Sequence, residues 1–295
     1  MVVDQYPEFI LEKRGSLSIH VVQTLARELI PCIAGDPDHF FHLAGCEIIK
    51  DQKKIKVARI KIKIRGDTKT VYLKRYNAFS WRYRFGSIFQ SSGAVRSIRG
   101  AVILSESGIP SVRPLAAVDS RSWGMLNGSF FLSEDIENGK TADAYWREEL
   151  LTMRGNEGIR RRKRFVGAIG ELFRFLHQRG VYHNDLKDAN ILVRPDFSGG
   201  EQFYLLDLEG IRRYRKLNRR RQIKNLVQIN RTLGKYLRVT DKLRFLESYL
   251  GPSFVDRIDK RDWVASVLSQ SNRLDRLRNI KVASIEMAGD AARES

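Results

Sequence analysis

Cysteine and long uncharged apolar runs are both scarce in this sequence. Its 295 residues contain two cysteines, Cys32 and Cys46. Two thiols cannot build a disulfide framework or a four-ligand zinc site, so they favour a reducing compartment and an interpretation as small apolar side chains. No stretch of about 18 apolar residues runs without a charge, and we therefore expect no membrane-spanning helix.

The start of the sequence lacks the pattern of a signal peptide. The residues MVVDQYPEFILEKRG carry Asp4 and have no uninterrupted apolar segment. A signal peptide combines a basic start with such a segment. We therefore expect a cytoplasmic protein, with attachment to the inner face of the cytoplasmic membrane as a further option.

Acidic residues are too few to balance the basic ones. The sequence has 53 lysines and arginines against 34 aspartates and glutamates, which gives a formal net charge of +19. A charge of this size attracts polyanions through its long-range field. Nucleic acid, anionic lipid and phosphorylated substrates are all compatible with it.

The first half of the chain predicts a small antiparallel sheet. Residues 1–40 mix Pro, Gly and short apolar clusters, and we interpret them as an N-terminal extension with one helix from about Ile19 to Leu29. From Cys46 to Tyr76 the segments CEIIK, IKVARIKIKI and TVYLKRY alternate apolar and polar positions, as strands of a meander do. The lysines and arginines of IKVARIKIKI are expected on the solvent face.

A helix and two more strands complete this predicted sheet region. The helix covers about residues 93–107 and stops at Gly108, with Pro110 just beyond it. The segments VRPLAAV and SFFLSED then have the composition of strands. We assign residues 41–137 to a small lobe with an antiparallel sheet and one helix.

The second half of the chain changes to a helical pattern. Phe165, Ile169, Leu172, Phe173 and Leu176 recur at helical spacing. Two short strands, ILV and FYLL, follow, and the last 80 residues or so alternate basic and apolar positions in helical fashion. We assign residues 138–295 to a mainly helical second lobe.

One short segment, HNDLKDANIL, concentrates polar groups directly before an apolar strand. It contains Asp185, Lys187 and Asn190, and Asp207 follows at the end of the next strand. A loop between rigid elements can hold such side chains at a cleft. Carboxylate and amide oxygens suit Mg²⁺, which also binds phosphates, and Lys187 could meet a phosphoryl group in transfer.

These motifs resemble those of the protein-kinase fold. HNDLKDAN, residues 183–190, resembles the catalytic loop H-R-D-x-K-x-x-N, and Asp207 in DLEG resembles the aspartate of D-F-G. Lys74 in VYLKRY resembles the strand lysine that contacts the nucleotide phosphates. The resemblance implies an α+β, bilobal, protein-kinase-like fold with a small antiparallel N-lobe and a mainly helical C-lobe.

The order of the segments over about residues 45–250 is similar to that of the lipopolysaccharide core kinase family, which phosphorylates Kdo or heptose sugars of the inner core. This resemblance implies ATP and Mg²⁺ as cofactors. Asp185 would accept the proton of the sugar hydroxyl, and Lys187 would neutralise the moving phosphoryl group. Lys74 would orient ATP, and Asn190 and Asp207 would hold Mg²⁺. His183 is interpreted as a residue that braces the loop.

Two departures from the kinase pattern concern ATP binding. The Gly-rich loop is replaced by IIKDQKKIKV, in which Lys50, Lys53 and Lys54 could neutralise phosphates or simply form a solvated turn. The helix glutamate expected to pair with Lys74 is missing, because Ser97 occupies its place. Glu106 lies nine residues further on, about 13 Å along a helix, which is too far to replace it. Either another carboxylate pairs with Lys74 or ATP binding is impaired.

Further departures concern the substrate. Asn184 replaces the arginine of H-R-D, and no A-P-E sequence follows Asp207, which argues against a protein substrate. Two basic runs, IRRRKRF at residues 159–165 and IRRYRKLNRRRQIK at residues 211–224, could contact a phosphorylated glycolipid or the anionic inner leaflet, or could be solvated helix faces.

Three functions remain open from the sequence. The first is a sugar kinase of the lipopolysaccharide core. The second is another kinase-fold enzyme that acts on a small molecule or a protein. The third is a non-catalytic, kinase-like protein that binds polyanions. The second basic run contains a single aromatic residue, Tyr214, which gives little support for stacking on single strands. We expect no nucleic acid as a partner.

Overall fold

A computed structural model of the chain describes residues 8–78, 80–196 and 200–291, with the side chains of Tyr83 and of residues 281–291 left out. Two compact units are defined by their internal contacts. The sheet unit comprises the described residues up to Gly139 together with Leu192–Arg213. The helical unit comprises Lys140–Ile191 and the described residues from Tyr214 onward. The division predicted at residues 40 and 137 stays a prediction.

The sheet unit is built on a seven-stranded antiparallel sheet. In chain order its strands are β1 (Phe9–Arg14), β2 (Leu17–Val22), β3 (Glu47–Gln52), β4 (Ile55–Ile64), β5 (Asp67–Asn77), β6 (Pro114–Ser122) and β7 (Met125–Glu134). Their order across the sheet is β1-β2-β6-β7-β5-β4-β3. The predicted meander and the two later strands are therefore confirmed. Three helices accompany the sheet, namely α1 (Ala26–Ile33), α2 (Trp81–Gly86) and α3 (Gly93–Glu106).

The helix predicted from Ile19 to Leu29 is wrong over its first half. Ile19 lies in β2, which pairs with β1 on one side and β6 on the other, and the helix begins only at Ala26. Both faces of β2 are covered, so Ile19, His20 and Val21 are all buried. A strand buried on both faces shows no alternation of apolar and polar residues, and its sequence resembles a buried helix.

The alternation along β4 and β5 decides which side chains face the helices. On β4, Ala58 and Ile60 are buried while the basic residues Arg59 and Lys61 are exposed, as predicted. On β5, Leu73 and Lys74 point to opposite faces because successive side chains of a strand alternate. Lys74 therefore shares a face with Tyr76, whose neighbours lie on α3.

Helix α3 approaches the rest of the sheet unit closely at two glycines. A Cβ atom on Gly93 would lie 2.5 Å from the ring of Tyr76, and one on Gly100 would lie 2.0 Å from the carbonyl oxygen of Leu208. Only glycine permits such approaches. Ser92 caps the start of the helix, because its hydroxyl accepts a hydrogen bond from the amide of Val95 at 3.1 Å. The helix predicted over residues 93–107 is confirmed.

The segment that carries Asp207 belongs to the sheet unit. Strands β8 (Lys140–Thr141), β9 (Val181–His183), β10 (Ile191–Pro195), β11 (Glu201–Leu205) and β12 (Ile211–Arg213) lie outside the main sheet. Leu205, at the end of β11, forms a parallel bridge with Ser111. Its amide donates to the carbonyl oxygen of Pro110 at 3.2 Å, which fixes the chain two residues before Asp207.

The helical unit contains α4 (Ala142–Tyr145), α5 (Gly155–Gln178), α6 (Arg219–Arg231), α7 (Val239–Leu250) and α8 (Arg257–Ala291). Helix α5 carries the apolar residues Phe165 to Leu176, as predicted, and Gly180 follows it with a φ of 70°. Phe173 packs edge-on against Phe245 of α7, and Tyr249 packs against Trp263 of α8. These aromatic contacts join three helices into one core. Within the described ranges no helix is both long and apolar enough to span a bilayer.

His177 is buried in this core as a neutral imidazole. Its Nδ1 lies 2.9 Å from the hydroxyl of Tyr249, and its Nε2 lies 3.3 Å from Oδ1 of Asn225. The amide oxygen can only accept, so Nε2 carries the hydrogen. Burial lowers the pKa of His177 to about 4, although the hydrogen bond to Asn225 opposes this shift.

This lowered pKa predicts a loss of stability in mild acid. Because the unfolded histidine has a pKa near 6.5, the unfolded chain binds more protons as pH falls from there toward about 4. We expect His177 to cost about 2 kcal/mol of unfolding free energy between pH 7 and pH 5. The loss measured by urea unfolding should therefore be smaller in His177→Gln than in wild type.

The matched control is His42→Gln, which removes an exposed histidine. This variant should keep the full acid sensitivity of the wild type. Equal acid sensitivity in wild type and His177→Gln would contradict the account.

Candidate active site

Lys74 of β5 lies between two carboxylates of the segment that follows β11. Its Nζ is 2.5 Å from Oδ1 of Asp207 and 3.5 Å from Oε1 of Glu209. It also lies 4.7 Å from the centre of the Tyr76 ring. Lys74 and Asp207, which the sequence predicted as site residues, are thus brought together within the sheet unit. The segment DLEG, residues 207–210, is called the metal loop below, after the role predicted for Asp207.

Ser97, at the helix position where the kinase pattern has a glutamate, makes contacts other than with Lys74. Ser97 is buried, and its hydroxyl lies 2.9 Å from the hydroxyl of Tyr76 and donates to the carbonyl oxygen of Gly93. Tyr76 therefore fills the space between the sheet and α3. The hydroxyl of Ser97 on α3 and the phenol of Tyr76 on β5 thus form a hydrogen-bonded pair where the kinase pattern has an acid.

Glu209 supplies the carboxylate that the helix lacks. Its Oε1 lies near Lys74, and its Oε2 accepts a hydrogen bond from Nη2 of Arg96 at 3.0 Å. Arg96 is on α3 and also donates to the carbonyl oxygen of Ser91. The acid comes from the metal loop and a helix arginine anchors it, which reverses the arrangement expected from the kinase pattern. Of the two alternatives left by the sequence, the geometry favours another carboxylate beside Lys74.

The charges around Lys74 keep its amine protonated. Burial alone would lower the pKa of Lys74, but Tyr76, Asp207 and Glu209 together raise it above its ordinary value. Burial also raises the pKa of the Tyr76 phenol. Lys74 therefore provides a fixed positive charge at neutral pH, as a group that contacts phosphates must.

The backbone at Asp207 is left-handed. Asp207 has a φ of 54°, a conformation that aspartate adopts more readily than most residues do. The carbonyl oxygen of the next residue, Leu208, occupies the space left by Gly100 on α3. The missing Cβ of Gly100 therefore lets the metal loop approach the helix and places Asp207 and Glu209 beside Lys74.

The HNDLKDAN loop lies in the helical unit and brings three predicted site residues together. Oδ2 of Asp185 is 2.7 Å from Nζ of Lys187 and accepts a hydrogen bond from Nδ2 of Asn190 at 3.2 Å. The same Nδ2 donates to the carbonyl oxygen of Asp185 at 2.7 Å. The carboxylate is held from two sides and remains partly exposed.

Two polar side chains of helix α6, the buried Asn225 and the half-buried Gln228, brace this loop. Asn225 donates to the carbonyl oxygen of His183 at 2.6 Å, and Gln228 donates to that of Asn184 at 2.7 Å. His183 is buried, and its Nδ1 accepts from the amide of Asp185 at 3.1 Å. This geometry favours the interpretation of His183 as a bracing residue. Asn225 and Gln228 were not singled out from the sequence, where they follow directly after the second basic run.

The proposed metal ligands have the donor atoms that Mg²⁺ requires. Asn190 uses its amide nitrogen within the loop, and no hydrogen bond to its Oδ1 is found in the part of the chain that the structure describes. Asp207 offers carboxylate oxygens beside the positive charge of Lys74. Amide and carboxylate oxygens are hard ligands, so both residues fit a Mg²⁺ ion.

The hairpin that replaces the Gly-rich loop joins β3 to β4. Every residue of β3 is exposed, including Lys50. The carbonyl oxygens of Lys53 and Lys54 accept hydrogen bonds from Asn77, which fixes the turn to β5. The exposed lysines fit either alternative raised by the sequence, a phosphate contact or a solvated turn.

Many residues of the two basic runs have partners within their own unit. In the first run, Arg162 donates to the carbonyl oxygens of Leu150 and Met153. In the second, Arg213 pairs with Glu106 at 3.0 Å, and Arg219 lies over the ring of Trp263. The second run therefore contains structural as well as exposed basic residues.

In three exposed residues of the second run the side chain has no hydrogen-bond, ion-pair or ring partner among the residues that the structure describes. They are Arg215, Lys216 and Arg220. They retain the solvent access that binding to an anionic surface requires.

Comparison with known proteins bears on the fold and on the family of this chain. A solved structure described as "WaaP in complex with acyl carrier protein" has a TM-score of 0.62 and 18% identity, covering 87% of this chain and 98% of that one. This likeness shows the mixed α+β, kinase-like fold that the sequence predicted. No match was found among curated proteins. The lipopolysaccharide kinase (Kdo/WaaP) family matches residues 51–249, more than half of the sequence, and the chain therefore belongs to that family.

Proposed function

We propose that the protein transfers the γ-phosphoryl group of ATP to a sugar hydroxyl of the lipopolysaccharide inner core, on Kdo or heptose. The observation that carries this proposal is the family match over residues 51–249, which includes Lys74, Asp185, Lys187, Asn190 and Asp207. A binding scaffold has no need of all five. The acceptor is an anionic glycolipid or a phosphorylated sugar.

Two groups of the helical unit act on the acceptor. The sugar oxygen attacks the γ-phosphorus, Asp185 accepts the hydroxyl proton, and ADP leaves with the electrons of the broken P–O bond. Lys187, 2.7 Å from the carboxylate of Asp185, neutralises charge on the moving phosphoryl group. Positioning and electrostatic stabilisation account for most of the catalysis in such transfers.

The sheet unit provides the charges that hold the nucleotide. Lys74 contacts the phosphates, and Glu209 keeps its ammonium in place through the 3.5 Å ion pair. The residues that would hold Mg²⁺ are Asp207 and Asn190, of which Asn190 belongs to the HNDLKDAN loop of the helical unit. When bound, that ion neutralises the phosphate oxygens and orients them.

The protein is proposed to work at the cytoplasmic side of the inner membrane. The net charge of +19 and the exposed residues Arg215, Lys216 and Arg220 would attract an anionic leaflet. The solved WaaP structure contains acyl carrier protein, and a carrier protein is therefore also proposed as a partner of this chain.

The transfer is tested with radiolabelled ATP, Mg²⁺ and dephosphorylated inner-core lipopolysaccharide. We expect label on the saccharide with wild type, and a loss of at least about a thousandfold in rate with Asp185→Ala because the proton acceptor is gone. Asp207→Ala should weaken Mg²⁺-dependent nucleotide binding, whereas Asp185→Ala should leave that binding largely intact.

Three outcomes would contradict the proposal. Near-normal turnover by Asp185→Ala would remove the proposed base. Nucleotide binding by the wild type without label on the saccharide would point to a different acceptor, and no nucleotide binding would favour a polyanion-binding protein.

Glu209→Gln tests whether the metal-loop acid positions Lys74. The variant keeps the size of the side chain but loses the charge that faces Lys74 and Arg96. We expect the dissociation constant for Mg²⁺–ATP to rise about tenfold, which corresponds to about 1.4 kcal/mol. Isothermal titration calorimetry measures this directly.

Glu106→Gln is the matched control, because Glu106 also pairs with an arginine, Arg213, but in an exposed position. Exposed ion pairs contribute little, so this variant should change the affinity less than about twofold. An equal effect of the two substitutions would show that Glu209 has no special role.

A further inference from the structure

Segment 81–89, WRYRFGSIF, has its apolar side chains facing solvent. Trp81, Phe85, Ile88 and Phe89 have relative exposures of 74%, 59%, 40% and 83%. They recur at positions i, i+4, i+7 and i+8, which is the spacing of one helical face. Beyond the end of α2 at Gly86 the chain continues in helical turns, because the amides of Ile88 and Phe89 donate to the carbonyl oxygens three residues before them.

The opposite face of this segment is polar and points into the protein. Ser87 is buried; its hydroxyl accepts from the amide of Leu126 at 2.9 Å and donates to the carbonyl oxygen of Arg84. Arg84 donates to Oδ1 of Asn127 at 2.7 Å. The segment is therefore amphipathic in the inverted sense, with polar groups inside and apolar groups outside.

A fifth apolar side chain joins this surface from the hairpin between β6 and β7. Trp123 is 94% exposed at the turn. A Cβ atom on the next residue, Gly124, would lie 3.9 Å from Ile88. Arg121 donates to the carbonyl oxygens of Ser87 and Gly124, at 3.0 and 2.8 Å, which ties the hairpin to the segment.

The backbone at Trp123 is unfavourable for a tryptophan. Trp123 has a φ of 55° and Gly124 a φ of 76°, so both central residues of the two-residue turn are left-handed. Asn or Gly is strongly preferred at the first of these positions, and a bulky residue there is an outlier. Neither turn stability nor burial explains the choice of tryptophan.

The charge of this region matches an anionic surface. No aspartate or glutamate occurs between Asp67 and Glu106, whereas seven lysines and arginines do. Arg82 is exposed, and its guanidinium lies 5.6 Å from the centre of the Trp81 ring. Tryptophan beside arginine is the combination found where proteins contact the headgroup region of membranes.

We propose that Trp81, Phe85, Ile88, Phe89 and Trp123 form a surface, the aromatic patch, that inserts into the headgroup region of an anionic phospholipid bilayer. Apolar patches of this kind on soluble domains mark interaction sites, and the adjoining arginines select a negatively charged partner. The inference rests on the proposed function and deepens it by supplying an apolar anchor for an enzyme with a lipid-linked acceptor.

Tryptophan fluorescence on vesicles tests this surface. The other two tryptophans, Trp146 and Trp263, are buried, so a change on binding reports Trp81 and Trp123. With phosphatidylcholine vesicles that contain about one third phosphatidylglycerol, we expect a blue shift and quenching by brominated acyl chains. Trp81→Ser with Trp123→Ser should lower the partition coefficient about tenfold or more, as judged by co-sedimentation.

Three further variants distinguish the aromatic patch from the basic side chains and from exposed apolar residues elsewhere in the chain. Trp81→Phe with Trp123→Phe should keep vesicle binding and lose the fluorescence shift. Val255→Ser with Ile258→Ser removes exposed apolar residues of the helical unit and should bind as wild type does. Arg215→Gln, Lys216→Gln and Arg220→Gln should weaken binding at low salt and have little further effect at high salt, where the patch dominates.

The proposal is overturned if the wild type does not bind these vesicles or if the folded serine variant binds them as tightly as wild type. A dimer of the free protein that the serine variant dissociates would instead assign the patch to a second copy. Turnover on a water-soluble core oligosaccharide tests the kinase proposal separately from the proposal of a membrane-binding surface. The serine variant should retain that turnover, whereas a wild type that binds vesicles but transfers no phosphate would contradict only the kinase proposal.

Discussion

The candidate active site depends on one interaction, the pairing of the Lys74 ammonium group with two carboxylates. Asp207 and Glu209 come from one short segment after β11 and reach Lys74 at 2.5 and 3.5 Å. These carboxylates would be costly to bury without that cation, and the cation would be costly to bury without them. Two residues of α3 make this arrangement possible. Gly100 leaves room for the segment, and Arg96 anchors its glutamate.

The helical unit satisfies a different requirement, which is to hold a tight polar loop without burying unpaired groups. Asn225 and Gln228 of α6 accept and donate hydrogen bonds at the backbone of residues 183–186. His177 sits behind Asn225 as a neutral acceptor and donor. The network fixes the loop from its buried side and leaves the carboxylate of Asp185 accessible, so rigidity and exposure occur on opposite sides of the same loop.

Much of the fold and part of the site could be predicted from local patterns in the sequence. Strand β4 alternates because one face is solvated, and α5 shows helical spacing because one face is buried. Strand β2 has no such signal, since both of its faces are covered. The role of Glu209 was missed for another reason: its partner lies 135 positions earlier in the sequence, and a contact of that separation depends on tertiary packing. The sequence does show an acid two residues after Asp207, but the kinase pattern places the expected partner of Lys74 on the helix, at Ser97.

A double-mutant cycle between Lys74 and Glu209 tests the central interaction most directly. Lys74→Met, Glu209→Gln and the double variant would be compared with wild type by chemical unfolding without any ligand. If the carboxylate holds the ammonium, the double variant should lose about 1 kcal/mol less than the sum of the two single losses. Additive losses would contradict the account, because they would mean that Lys74 and Glu209 do not interact in the folded protein.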